Sequence, residues 1–315
     1  MELPYRNFEK KYMRFYTAPE KISDLAFYFS RRTRDFTEKT FKRFMQHMIG
    51  SIQAAYTSGF CLNMVMEEDS PEELMKHKTI VLSYAAMLAP SEIERFTAYV
   101  KAGGRLIILG DFAIYDADGR KRSEEEINGI FGIDMPWDTV AKLGEGEIFR
   151  MSFRPEISEY QGPLGCPRQV VTPVTKTAIP SKWEMQKNGT GRVLRGIQTP
   201  NVEIQSENDR LVVTAYEVPD ARIMHIVNLA DTISLEPIAA SHDDLIPNFC
   251  ANAPKLGAIT LTIKNPPAFS VNKIYLATPE QEEPIALSMK LENGIASVEI
   301  PANVFSAYAL IVMEK

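Results

Sequence analysis

Strand and helix signals alternate through the first 136 residues, and this alternation constrains the fold more than any other feature of the chain. Four apolar runs are typical of strands: DLAFYF at 24–29, FCLNMVM at 60–66, TIVLSYA at 79–85 and RLIILG at 105–110. Strands that are joined through helices pair in parallel with right-handed crossovers. Residues 21–136 are therefore predicted to form an α/β domain, with a flavodoxin-like open parallel sheet and helices on both faces.

Helix signals fill the intervals between these runs. Apolar residues follow three-four spacing from 41 to 56, which predicts a helix with one buried face. Three capping boxes predict further helix starts: Ser70 with Glu73, Ser91 with Glu94, and Ser123 with Glu126. The polar stretch SRRTRDFTEKT at 30–40 is predicted to be a loop.

The pattern changes after Trp137. Residues 137–208 hold many of the prolines and only short extended signals, so they are predicted to form an irregular connecting region. From 209 to 315 seven short strand signals are separated by turn residues, which predicts an antiparallel β-sandwich domain. Residues 1–20 are predicted to be an N-terminal connector.

Charge and hydropathy narrow the classes of partner. The net charge is −6, so no basic surface dominates and neither nucleic acid nor a membrane is expected as a partner. No apolar run is long enough for a membrane span, and the first residues do not form a signal peptide, so a cytoplasmic protein is expected. The three cysteines are widely spaced and are expected to be reduced thiols.

Ligands of open α/β sheets bind outside the carboxyl ends of the strands. The candidate ligand-binding residues at these ends are Ser30, Arg34, Asp35, Tyr84, Asp111, Tyr115 and Asp116. Two of these assignments have a structural alternative. Arg34 and Asp35 can pair with each other or cap the following helix, and Asp116 begins a sequence, Asp-Ala-Asp-Gly, that is typical of a turn.

No catalytic residue, metal site or cofactor is predicted. The cysteines 61, 166 and 250 lack the glycine-flanked elbow that an amidotransferase nucleophile needs. His225 lies on a predicted strand and is expected to be a hydrogen-bonded structural residue, and His242 has no second histidine nearby. Gly144-Glu145-Gly146 lacks the third glycine of a dinucleotide-binding loop.

Several stretches resemble one family. DLAFYFSRRTRDF, KTIVLSYAAMLAPSEIERFTAYVKAGGRLIILGD, YDADGRKR and INGIFGI are similar to the glutamine-amidotransferase-like trimerisation domain of β-galactosidase-type glycoside hydrolases. RIMHIVNLADT resembles a strand motif of the β-domain that follows in that family. The resemblance covers nearly the whole chain, in the expected order.

The resemblance implies an assembly role. In such enzymes two carboxylates on an upstream (β/α)₈ barrel perform the hydrolysis, and the amidotransferase-like domain, which lacks a catalytic cysteine, packs between subunits. Only some twenty residues precede the first predicted strand, whereas a barrel needs roughly 250. The expected partners are therefore further copies of the chain in a trimer, a carbohydrate ligand, and a catalytic barrel encoded separately or in a larger enzyme.

Three functions remain open on the sequence alone. The first is a non-catalytic oligomerisation or accessory module related to glycoside hydrolases. The second is a small-molecule or glycoside hydrolase that uses Ser30, Arg34, Asp35 and Asp111. The third is a sensor or binding protein whose β-domain holds a glycan.

Overall fold

A computed structural model describes residues 2–37, 42–152, 189–207, 211–228 and 256–315. The α-helices in these ranges are α1 Glu2–Lys11, α2 Arg31–Thr37, α3 Lys42–Thr57, α4 Pro71–Met75, α5 Pro90–Lys101, α6 Glu124–Asn128 and α7 Thr190–Ile197. The strands are β1 Glu20–Ile22, β2 Leu25–Phe29, β3 Leu62–Met66, β4 Thr79–Ser83, β5 Arg105–Leu109, β6 Thr139–Leu143, β7 Gly146–Met151, β8 Val202–Gln205, β9 Leu211–Val218, β10 Ala221–Asn228, β11 Ile259–Ile263, β12 Lys273–Ala277, β13 Ile285–Ala286, β14 Met289–Glu292, β15 Ile295–Ile300 and β16 Tyr308–Glu314.

The first half of the chain forms an open sheet in the order β3-β2-β4-β5-β7-β6. The first five strands of this order are parallel, and β6 runs antiparallel to β7 at the edge. Counted along the chain, the parallel strands lie in the order 2-1-3-4-5, which is the flavodoxin arrangement. The predicted fold class of this part is confirmed.

Helices cover both faces of the open sheet. On one face, Phe44 and Met48 of α3 pack with Leu194 of α7. On the other face, Phe96 and Val100 of α5 pack with the apolar side chains of β4 and β5. The strands β4 and β5 are almost wholly apolar because they are buried on both faces.

The second half forms an antiparallel sandwich, as predicted. One sheet has six strands in the order β1-β9-β10-β16-β12-β13, and the other has four in the order β14-β15-β11-β8. A single apolar cluster, which includes Val213, Met224, Leu261 and Ile311, fills the space between them. The inward side chains alternate with more exposed ones along β9 and β11, as sheet geometry requires.

The open sheet extends beyond the predicted boundary at 136. β6, β7 and α7 all lie within the stretch 137–208 that was predicted to be irregular, yet they belong to the open sheet and its helical layer, whereas β8 belongs to the sandwich. The proline-rich signal that suggested a connecting region comes mainly from residues 153–188, which lie outside the described residues.

Two local predictions were wrong. The stretch predicted as a loop from residue 30 contains α2, which is too short to show apolar periodicity. Helix α5 begins at Pro90 rather than after Ser91, because the Glu92 carboxylate accepts a hydrogen bond from the amide of Ala89 at 2.7 Å. Proline suits the first helical position, where no amide hydrogen is needed.

The N-terminal segment is more than a connector. Phe8 and Tyr12, with Phe15 of the 3₁₀ turn at 13–15, pack on the outer face of the six-stranded sheet of the sandwich. These three residues are spaced by four and seven positions from the first, which is typical of one face of an amphipathic helix. A helix was not predicted here from the sequence. β1 then joins the same sheet beside β9, so residues 2–22 are part of the sandwich.

Candidate functional site

The carboxyl edge of the open sheet is the expected place for a site. β2 and β4 are neighbours although β3 comes between them in the chain, so the strand order reverses there. Ser30 and Tyr84 follow β2 and β4 directly, Asp111 follows β5 after Gly110, and all three are brought to this one edge. The structure thus collects the predicted residues at one end of the sheet, where each has its own surroundings.

Ser30 caps α2 and is fully buried. Its Oγ accepts a hydrogen bond from the amide of Thr33 at 3.0 Å and lies 3.0 Å from Oε1 of Glu67. The same Glu67 oxygen accepts a bond from the amide of Arg32 at 2.7 Å. The serine hydroxyl therefore stabilises the first turn of a helix, in a position that solvent does not reach.

Arg34 and Asp35 pair with each other. Nε of Arg34 donates to Oδ1 of Asp35 at 2.7 Å, and two thirds of the Asp35 side chain is exposed. This hydrogen bond lowers the pKa of the Asp35 carboxyl and raises that of the guanidinium. Of the two roles considered from the sequence, ligand binding and pairing with each other, the structure shows the pairing.

Tyr84 is a buried residue with an unusual backbone. It follows β4 with φ of 59°, a left-handed conformation that bulky residues rarely adopt. Its ring stacks on the imidazole of His47, with 4.7 Å between ring centroids and 2° between the planes. The tyrosine is only 3% exposed, so the stack helps to hold α3 against the strand end.

Tyr115 and Asp116 lie on the segment that follows β5. Oδ1 of Asp116 accepts bonds from the amides of Asp118 and Arg120, so the predicted turn is present. Burial acts to raise the pKa of Asp116, but these bonds and the Arg120 side chain lower it below its usual value. Tyr115 lies against Phe36 of α2, with 5.3 Å between the ring centroids. Half of the Phe36 side chain is exposed.

Sequence reasoning missed a buried acid at the same edge. Glu92 is 4% exposed and accepts a hydrogen bond from the Tyr28 hydroxyl, and Nε of Arg32 lies 3.5 Å from its Oε2. Burial and the Glu92 charge raise the pKa of Tyr28. The sequence signal for this acid is a glutamate two residues after Pro90, at the start of a helix. The capping box was assigned to Ser91 and Glu94 instead, because serine is a more typical cap than Ala89.

A groove lies beside the carboxyl end of β7, which was not predicted to belong to this sheet. Its volume is about 600 Å³, and its lining residues are Glu125, Asn128, Gly129, Gly132, Ile133 and Asp134. Below it Arg150 is buried, and one of its amino groups, Nη1, donates to the side chain of Asn128 and to the carbonyl of Met135. Burial lowers the pKa of Arg150, although the nearby carboxylates of Glu124 and Asp134 act against this.

The remaining candidates for chemistry have structural surroundings. Burial raises the pKa of the Cys61 thiol to about 12, and the nearby Asp24 carboxylate adds to this effect. His225 is hydrogen-bonded to the Tyr308 hydroxyl at 2.6 Å, as expected of a structural histidine. Cys166, Cys250 and His242 lie outside the described residues.

Within the described ranges, no group of three or more His, Cys, Asp or Glu side chains is arranged to hold a metal ion. In the same ranges, no helix is both long and apolar enough to cross a lipid bilayer.

Solved structures of several glycoside hydrolases share this fold. Gan42B, a GH42 β-galactosidase from G. stearothermophilus, matches 93% of this chain with a TM-score of 0.52 and 9% identity, and the match covers 40% of Gan42B. The β-galactosidase from Bacillus circulans sp. alkalophilus matches 98% with a TM-score of 0.53 and 11% identity, over 44% of its own length. The α-L-fucosidase isoenzyme 2 from Paenibacillus thiaminolyticus matches 98% with a TM-score of 0.54 and 11% identity, over 51% of its length.

These likenesses show the fold alone, because the identities are low. The chain spans about two fifths to one half of the proteins that it matches. No family model matches the sequence, and no curated protein matches it either. The α/β domain followed by a sandwich is therefore an arrangement that this chain shares with one portion of larger glycoside hydrolases.

Proposed function

We propose that the chain is a non-catalytic accessory module, related to glycoside hydrolases, that associates with further copies of itself. The main support for this proposal is that the polar groups at the strand ends form hydrogen bonds within the chain. Ser30 caps a helix, Arg34 pairs with Asp35, and Asp116 holds a turn. A hydrolase needs an acid and a base that can reach a substrate, whereas these groups make hydrogen bonds to other groups of the same chain.

One exposed aromatic side chain supports self-association at the same edge. Phe36 is half exposed and lies against Tyr115, and the Arg34–Asp35 pair is on the same short helix. Aromatic and arginine side chains dominate the energetics of protein interfaces.

The fold likeness supports the relation to glycoside hydrolases. The matched proteins are β-galactosidases and a fucosidase, and this chain covers 40% to 51% of each. A separate domain or chain would then carry the catalytic (β/α)₈ barrel. The trimeric state follows from the family resemblance and is part of the proposal.

Light scattering of the purified chain tests the assembly. We expect a mass three times that of the chain at micromolar concentration, and we expect Phe36→Ser to reduce it to the mass of one chain. Met75→Ser is the matched control, because Met75 is similarly exposed but ends α4, near the opposite edge of the sheet. A monomeric parent, or equal loss of assembly in both variants, would contradict the proposal.

Assays with aryl glycosides and glutamine test the non-catalytic role. We expect no turnover of either substrate above the uncatalysed rate. Turnover that disappears in Asp111→Ala would instead establish the hydrolase alternative, since Asp111 lies two residues after the end of β5, at the carboxyl edge.

A further inference from the structure

Two stretches of the chain have the same three-residue sequence, Asn-Gly-Ile, in different structural settings. One is 128–130, at the end of α6, and the other is 293–295, at the turn between β14 and β15. The side-chain amide of an asparagine can be attacked by the backbone nitrogen of the next residue, and glycine permits this most readily because it has no Cβ to hinder the approach. The two settings therefore compare the same reactive pair within one molecule.

The turn at 293 and 294 is exposed and forms a tight hairpin. Glu292 of β14 pairs with Ile295 of β15, so only Asn293 and Gly294 connect the two strands. Both have positive φ, 51° and 77°, as a two-residue turn of type I′ requires. The residues from 291 to 295 are all exposed, and a Cβ added at Gly294 would meet nothing within 4 Å. Water and a rotating side chain can therefore reach the Gly294 nitrogen.

Both reacting groups lack hydrogen bonds in this turn. In the part of the chain that the structure describes, the amide of Gly294 donates to no acceptor, and the side chain of Asn293 makes no hydrogen bond. In the described sheet β14 is an edge strand that pairs with β15 alone, so the hairpin can open locally at a low free-energy cost. Such opening lets the Asn293 side chain turn towards the Gly294 nitrogen.

The same groups are held in place at the end of α6. The amide of Gly129 donates to the carbonyl of Glu125 at 3.0 Å, which fixes this nitrogen in the last turn of the helix. The side-chain oxygen of Asn128 accepts a hydrogen bond from Nη1 of the buried Arg150. The backbone carbonyl of Asn128 accepts a further bond from the amide of Met135 at 3.1 Å. Movement of either group towards the other therefore breaks at least one of these bonds.

We propose that Asn293 is a site of spontaneous deamidation, at which a succinimide forms with Gly294. The Gly294 nitrogen forms a bond to Cγ of Asn293 and loses its proton, while the bond from Cγ to Nδ2 breaks and ammonia leaves with that proton. Water then opens the ring at either carbonyl, which gives aspartate or, with one more atom in the main chain, isoaspartate. Water is the co-reactant, and the inference does not depend on self-association.

The products change the hairpin in two ways. A carboxylate replaces a neutral amide beside Glu292, so two negative charges become adjacent at the turn. Isoaspartate also lengthens the connection by one main-chain atom, which a two-residue turn of type I′ does not accommodate. We expect β14 to separate from β15 more often, because β15 is the neighbour that holds β14 in the described sheet.

Peptide mapping by mass spectrometry, after incubation of the native chain at pH 8 and 37 °C, tests the proposal. Deamidation gives the mass gain of an amide replaced by an acid, and electron-transfer fragmentation distinguishes isoaspartate from aspartate. We expect Asn293 to be modified at least about tenfold faster than Asn128, since Asn128 reacts only after local opening of the helix end. Equal rates at the two asparagines, or a faster reaction at Asn128, would overturn the proposal.

The same measurement in urea separates the effect of structure from that of sequence. Unfolding removes the hydrogen bonds that hold Asn128 and Gly129, and both asparagines are followed by Gly-Ile. We expect the two rates to agree within about threefold in urea. If the native ratio persists in urea, the neighbouring residues rather than the fold set the rates, and the role given to the hairpin is wrong.

Hydrogen exchange tests the consequence for the hairpin. Anion-exchange chromatography separates the modified chain by its added negative charge. We expect the amides of β14 to exchange at least about tenfold faster in the isoaspartate form than in the parent, while the amides of β5 in the open sheet keep their rates. Equal exchange of β14 in the two forms would contradict the expected loosening.

Discussion

The carboxylate of Asp24 accepts a hydrogen bond from the backbone amide of Asn201 at 2.9 Å, across 177 positions of the chain. Its other oxygen accepts a bond from the amide of Cys61 at 2.7 Å, and its own carbonyl accepts one from the side chain of Gln198. Asp24 precedes β2 of the open sheet, and Asn201 precedes β8 of the sandwich. One buried side chain therefore links the two halves of the molecule.

Replacement of Asp24 by alanine should destabilise the whole chain. The change leaves the amides of Cys61 and Asn201 without their acceptor, and an unsatisfied buried amide costs about 1–3 kcal/mol. We expect the free energy of unfolding in urea to fall by about 2–5 kcal/mol. Asp118→Ala is the control, because Asp118 is exposed, and an equal effect of both changes would contradict this role of Asp24.

Stability should fall in acid because of His225. Burial lowers the pKa of this imidazole to about 4. In the unfolded chain its pKa is about 6.5, so between about pH 6.5 and pH 4 the unfolded state binds a proton that the native state does not. Stability is therefore retained above pH 6.5 and lost as the pH falls, by up to about 3 kcal/mol.

Urea unfolding of the parent chain and of His225→Gln at pH 7.5 and pH 4.5 measures this contribution. The glutamine variant should lose less stability between the two pH values, because it does not titrate. Carboxylates contribute equally in both proteins and cancel in the comparison. The same pH dependence in both would mean that the pKa of His225 is the same in the native and unfolded states, so that burial does not lower it.

Cys61 should resist alkylation in the native state. Its thiol is 1% exposed, with a pKa of about 12, and its Sγ lies 3.6 Å from the Val213 carbonyl. Because the thiolate is the reactive form, we expect iodoacetamide at pH 8 to modify Cys61 on the order of a thousandfold more slowly than in urea. Mass spectrometry of the peptide that contains Cys61 gives the rate, and comparable rates in the two conditions would contradict its burial.

Gly146 should not tolerate a side chain. A Cβ at this position would lie 2.2 Å from the carbonyl oxygens of Val100 and Gly104, which are backbone atoms. We expect Gly146→Ala to lower the melting temperature strongly, since either β7 or the end of α5 must shift. Gly196→Ala in α7 is the control: nothing lies within 4 Å of its Cβ, and alanine favours helix by about 0.5–1 kcal/mol. A neutral Gly146→Ala would contradict the close approach of β7 to α5.

The order of the open sheet could be predicted because its strands are apolar on both faces and its helices carry clear caps, such as Ser123 with Glu126. The place of β7 in this sheet could not be predicted, because its residues gave only a short extended signal, with a charged arginine at the buried position 150. Because β7 was not assigned to this sheet, the groove beside it was not predicted either. Arg150 of β7 holds Asn128, which lines this groove. Ser30 and Asp116 were predicted near the carboxyl ends of strands, which is where the structure has them. The sequence could not show which polar groups form hydrogen bonds with their side chains.

The packing of the first helix on the last strand has a consequence for how the chain folds. The hydroxyls of Tyr16 and Tyr308 lie 3.0 Å apart although 292 positions separate these residues. During synthesis on a ribosome, Phe8 and Tyr12 emerge well before β16, yet the surface that buries them is complete only when β16 has been translated. The sandwich thus has high contact order, so it should form late and slowly, and its aromatic N-terminal helix must stay soluble until then.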